Sequence, residues 1–174
     1  MTKIGDGVDP AEREAAHAET FKDAWSRTLG DVDRMAEGRA EAGWETLVLP
    51  AGDTAPEPPD DGPSGRYGLV YVVPGDRADR LGELLTEATF PEYDVYRTTV
   101  EGRVFIVTEL RDPDHEAVVY VAGNYELRTA DRLIETVADS GTMYTHLQKL
   151  DGTEVATFEH EDWQKFFPNA ETFV

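Results

Sequence analysis

The second half of the chain repeats an order of elements, and this repeat constrains the fold more than any other feature. Tyr67–Val73 (YGLVYVV) is rich in β-branched and aromatic side chains and predicts a strand. Asp76 is placed to cap a helix whose Ala78, Leu81, Leu84, Leu85 and Ala88 share one face. Tyr93–Val100 and Arg103–Leu110 then form a hairpin turned at Glu101-Gly102. The order recurs. Ala117–Ala122 (AVVYVA) predicts a strand, Ala130, Leu133, Ile134 and Val137 mark a helix ending at Gly141, and Met143–Leu150 with Glu154–Glu159 forms a hairpin turned at Asp151-Gly152. Local identities support duplication. Val70-Tyr71-Val72 matches Val119-Tyr120-Val121, Ala78-Asp79-Arg80-Leu81 matches Ala130-Asp131-Arg132-Leu133, and an acid-Gly turn stands at the same place in both copies. The hairpin arms differ by an even number of residues (eight from Tyr144 to Gly152, six from Tyr96 to Gly102), which keeps each side chain on its face.

One strand–helix–strand–strand unit cannot bury both its helix and its sheet face. Two copies can, so the expected fold is α+β: duplicated β-α-β-β units forming one mainly antiparallel sheet with helices on one face. A long N-terminal helix precedes them. Asp9 and Glu12 form a capping box around Pro10, and Phe21, Trp25, Leu29, Val32 and Ala36 make an apolar stripe. Gly30 is a point where this helix could bend, and Gly43 a stop. The expected organisation is a disordered segment 1–8, a helix over 9–43, and a duplicated domain over 44–160 with repeats at about 67–110 and 117–159. Trp44–Leu49 is its leading strand, 51–66 a solvated acidic, Pro-rich loop, and 161–174 a short aromatic helix and tail.

Charge speaks to solvent more than to fold. The chain has 36 Asp and Glu against 16 Lys and Arg, a net charge of −20, and only four lysines. In dilute buffer such a surface repels itself; in molar salt, where the Debye length is about 3 Å, the repulsion is screened. The acids are spread along the whole chain, which points to a halophilic protein. The same charge argues against nucleic acid, since no basic stripe exists to displace counterions from phosphates. The chain has no cysteine, and so no disulfide, thiolate nucleophile or Cys-ligated metal. The opening MTKIGDGVDPAERE carries no apolar signal region, so a cytoplasmic location without membrane contact is expected.

The tandem units resemble, in topology over about 67–160, the GyrI-like and SOUL-type domains that bind small molecules and haem. That resemblance implies a ligand site on the sheet face, with an acid facing a cationic ligand. Residues 10–140 also resemble the element order of roadblock-type dimerisation domains, which leaves the last hairpin over. The stretches AGDTAPEPP, YGLVYVVPG, FPEYDVYR, GRVFIVTEL, GTMYTHLQ and FEHEDWQKFFP resemble small haloarchaeal proteins of unknown function.

Catalysis has little to stand on. No G-x-S-x-G elbow, phosphate-binding glycine loop or H-E-x-x-H occurs, and no cofactor or metal is implied. The candidate ligand-binding residues are Tyr144, His146 and Gln148, which alternate onto one strand face, with Glu109 and Glu159 late on the last strand of each unit. The candidate interface residues are Phe21 and Trp25 on the N-terminal helix and Trp163, Phe166 and Phe167 near the C-terminus. These features lead to a non-catalytic intracellular protein that binds a protein partner or assembles with itself, with a small-molecule sensor as the alternative.

Overall fold

A computed structural model describes residues 10–168 and 170. The expected disorder of 1–8, the cap at Asp9 and most of the C-terminal tail lie outside these residues.

Helix α1 (Pro10–Glu41) opens on a proline, which suits a first turn, and runs unbroken through Gly30. Gly43, at φ 92°, ends it: the Trp44 amide turns back to the Arg39 carbonyl. Among the described residues eight strands follow, with two further α-helices. They are β1 (Glu45–Pro50), β2 (Asp53–Glu57), β3 (Gly68–Val72), α2 (Gly75–Leu84), β4 (Glu92–Val100), β5 (Arg103–Asp112), β6 (Ala117–Glu126), α3 (Asp131–Ser140), β7 (Met143–Gln148) and β8 (Glu154–His160). A 3-10 turn, Trp163–Phe166, stands where a short C-terminal helix was expected. Pro74 occupies the N-cap of α2, so Asp76 sits in the first turn rather than capping it.

The class is α+β, as the repeat implies, but the strands form two four-stranded sheets rather than one. The first has the order β1-β6-β5-β4 and the second β2-β3-β7-β8. Both are mixed, with β1 parallel to β6 and β3 parallel to β7. The repeat explains the arrangement. Each unit sends its first strand to one sheet and its hairpin to the other, so β6 pairs with β5 and β3 pairs with β7. Side-chain alternation fixes which face a strand buries. It does not fix which neighbour the strand takes, and here each unit completes the other's sheet.

The stretch expected to be a wholly solvated loop also holds structure. Asp53–Glu57 pairs antiparallel with β3 and buries Thr54, despite a composition (DTAPE) poor in strand formers. Pro56 is tolerated because β2 is an edge.

Strand β6 is covered on both faces and is accordingly a near-continuous apolar run. Val119, Val121 and Tyr125 enter a core shared with Leu69, Tyr71 and Leu147 of the second sheet and with α2 and α3. Val118, Tyr120 and Ala122 enter a separate core under α1, with Val32, Ala36, Trp25 and Leu29. The sheets approach closely at Gly123. A Cβ there would stand 2.3 Å from Thr54 Oγ1 and 2.7 Å from the Tyr71 ring.

Candidate functional site

Sequence alternation places Tyr144, His146 and Gln148 on one face, and β7 holds them on the side of the second sheet away from the core. His146 is buried, and both its ring nitrogens are engaged. Nε2 lies 2.8 Å from the Tyr67 carbonyl and Nδ1 2.9 Å from Thr157 Oγ1. A carbonyl only accepts, so Nε2 carries the proton and Nδ1 accepts from the threonine. Burial pushes the imidazole pKa down, and the bond to the carbonyl only partly opposes it. In this arrangement His146 has no free lone pair to offer a metal or a substrate. Tyr144 stacks on it at 5.9 Å between ring centroids, and Tyr67 meets Tyr144 edge-on at 5.2 Å. Glu159, opposite Tyr144 across the β7–β8 pair, is exposed.

Glu109 is 4% exposed, and it lies under α1 rather than on a cavity between the units. Its carboxylate accepts from Arg111 Nη1 at 2.6 Å and lies 3.7 Å from Arg39 Nη2. Arg39 in turn stacks over Trp44, 4.5 Å from the ring centroid. Arg111 also donates to Asp94 at 2.6 Å. Burial works against its charge, but the bonds to Asp94 and Glu109 outweigh it and the guanidinium pKa is raised. Burial, followed by the neighbouring carboxylate of Glu109, raises the pKa of Tyr120. Glu109 therefore already holds two cations of its own chain. The structure does not bring Glu109 and Glu159 to one site, because they stand on different sheets.

The aromatic C-terminal residues Trp163, Phe166 and Phe167 are in the protein's own core and are not available as an exposed anchor. Tyr125 donates to the Phe166 carbonyl at 2.6 Å and ties that turn to β6. Phe21 and Trp25 are half-buried: Phe21 leans on Phe105 and under the Arg103 guanidinium, and Trp25 packs in the core beneath α1.

Two further places emerge only from the structure. One is a pocket of about 420 Å³ where the ends of β4 and β8 meet, lined by Phe90, Tyr93, Phe158, Glu159, His160 and Asp162 among others. His160 is 1% exposed, with Nε2 2.8 Å from Thr145 Oγ1 and Nδ1 without a partner among the described residues. Burial pushes its pKa down to about 4. The other is the outer edge of β4. Of the four sheet edges this is the longest, at nine residues. Among the described residues no main-chain group bonds to its main chain, although the Lys165 carbonyl accepts from Arg97 Nε at 2.9 Å and the Asp162 amide donates to the Tyr93 hydroxyl at 3.1 Å. Beside it, Tyr96 is 47% exposed and lines a groove of about 330 Å³ between α1 and β4, floored by Phe105 and Val107. The sequence carries a signal for this edge: both faces of EYDVYRTTV bear a charge, whereas Val104, Ile106, Thr108 and Leu110 of the adjacent strand make an uncharged face.

No cluster of three or more metal-ligating side chains suited to an ion occurs among the described residues. No described helix is long and apolar enough to cross a membrane. The fold and these surfaces define an acidic α+β protein of two interleaved mixed sheets with one long open edge. The profile of a family of unknown function, DUF7529, matches residues 11–168, and the chain belongs to that family. Among curated proteins and among solved structures, none matches the chain.

Proposed function

We propose that this is a non-catalytic assembly protein of the cytoplasm of a salt-loving archaeon, which takes a strand from a protein partner along the open edge of β4. The observation that carries the reading is that edge itself: nine residues without proline or bulge, beside a groove and an exposed tyrosine. Strand addition uses such an edge for affinity, through main-chain hydrogen bonds, and neighbouring pockets for specificity. Glu109, His146, Trp163, Phe166 and Phe167 are already engaged within the chain, while the outer main chain of β4 stays unpaired among the described residues.

The test is a pull-down in molar KCl with the native chain and with Thr99→Pro. Thr99 is exposed and its amide points to the free edge, so proline there removes a donor without touching the β4–β5 ladder. A partner held by the native chain and lost with the variant supports strand addition; equal capture by both overturns it. The halophilic part has its own check. Unfolding midpoints fall as KCl is removed if the acids are an adaptation to brine, and equal stability without salt refutes that part. A small-molecule sensor is favoured by the pocket beside His160 alone. Screening organic cations for a thermal shift that His160→Phe abolishes tests it, and no shift with any of them removes it.

A further inference from the structure

Resting on the strand-addition reading, we infer that the partner at β4 is a second copy of this chain, paired antiparallel about a two-fold axis through Tyr96. The hydrogen-bond parity of the hairpin fixes what the edge offers. Glu101 (φ 47°) and Gly102 (φ 81°) form a two-residue turn, and Val100 pairs with Arg103 across it. In such a hairpin the flanking pair is hydrogen-bonded and the bonding alternates. The even residues from Glu92 to Val100 therefore bond to β5. Tyr93, Val95, Arg97 and Thr99 direct their amides and carbonyls outward.

Self-pairing must join these odd residues to one another. The midpoint of β4 is Tyr96, so full overlap places Tyr96 opposite its mate. That register sets Val95 against Arg97 and Tyr93 against Thr99, odd with odd, as the parity requires. It also sets Asp94 against Thr98 and Glu92 against Val100, so no two carboxylates meet. Two of the nearby registers fail this criterion: centring on Asp94 opposes two aspartates, and centring on Arg97 opposes two arginines. The full-length register alone brings every residue of the strand into the ladder. On the axis stands Tyr96, one of two large apolar side chains left exposed among the described residues.

The remaining edges are guarded. β1 ends in Pro50, β2 contains Pro56, and β8 pairs through an irregularity at Leu147 and Gln148. Such devices block edge-to-edge pairing. β4 has none of them. Two chains of charge −20 repel, so the pair forms in molar salt and weakens as salt is removed.

The chain has no cysteine, which makes the register directly readable. Tyr96→Cys is expected to form an intermolecular disulfide under mild oxidation in molar KCl. Its Cα atoms would face each other as a non-hydrogen-bonded pair about 4.5 Å apart, within disulfide reach. Thr98→Cys, which would face Asp94 of the mate, is expected to stay uncrosslinked. Light scattering after size exclusion should give twice the chain mass for the native protein. Thr99→Pro and Tyr96→Glu should give single-chain mass with an unchanged far-UV spectrum. A native protein that is a single chain at all concentrations in molar salt, or crosslinking of Thr98→Cys at the rate of Tyr96→Cys, overturns the inference. A single chain that still loses a captured partner with Thr99→Pro would defeat self-pairing and leave strand addition standing.

Discussion

The outer faces of the two sheets are built alike and end in different surroundings. Helix α1 crosses the outer face of the first sheet and closes a core over Val107, Val118 and Tyr120. The corresponding side of the second sheet presents Tyr144, Gln148, Thr157 and Glu159 half-buried or exposed. Glu109 and Glu159, late on the last strand of each unit, show the consequence. The first is buried between two arginines, and the second stands in solvent. Position within the repeat does not set the environment of an acid; a covering helix from outside the repeat does. The same asymmetry separates the edges, because β5 is an interior strand and β8 an outer one.

The largest expected effect tests that contrast directly. Glu109→Ala removes the carboxylate that Arg39 and Arg111 face and should cost about 3 kcal/mol, the low end for breaking a buried pair, because Asp94 still bonds Arg111. Glu159→Ala should change stability by less than about 0.5 kcal/mol, as for an ordinary surface site. Denaturant midpoints in molar KCl read both, and equal costs would mean that α1 does not shield the first sheet.

A smaller effect is expected where the sheets meet. Gly123→Ala drives a methyl into Thr54 Oγ1 and the Tyr71 ring, and overpacking of this kind costs about 1–3 kcal/mol. Gly30→Ala on α1, where the nearest neighbour is the Arg34 guanidinium at 3.7 Å, should instead stabilise by roughly 0.5–1 kcal/mol through helix propensity. A neutral Gly123→Ala would show that the two sheets can slide apart at this point.

These contrasts mark how far the sequence is legible. Element types and turns follow from local chemistry: Glu101-Gly102 and Gly141 adopt the positive φ that their composition predicts. The duplicated order is visible because periodicity is local. Pairing is not local, so one sheet was expected where two interleave. Strand β2 escaped because Asp, Pro and Glu disfavour a strand, and only its pairing with β3 holds it. The site residues divide in the same way. Alternation places Tyr144, His146 and Gln148 on one face. It is silent on the Tyr67 carbonyl that occupies His146, on the arginines that occupy Glu109, and on the docking of Trp163, Phe166 and Phe167 onto their own chain.

At neutral pH the last effect is the smallest, because it appears only on acidification. Burial lowers the pKa of His160 to about 4, against an ordinary value near 6.5, so between these values the unfolded chain binds a proton that the folded chain refuses. Stability should therefore fall as pH drops from about 6.5 toward 4, and this contribution should level off below it. His146, also lowered, acts in the same direction. Groups beside His160 on each packed element enter the balance: Tyr93 and Phe166 against the ring, and Glu159, Glu161 and Asp162 lining the adjoining pocket. These neighbours, and the easing of repulsion among the chain's acids at low pH, are common to the native chain and to His160→Gln, so the difference between the two isolates the histidine. The native chain should lose stability relative to the variant across pH 6.5 to 4 and hold a constant offset above pH 7. A difference that does not change with pH would mean that the imidazole takes up its proton as readily in the folded chain as in the unfolded one.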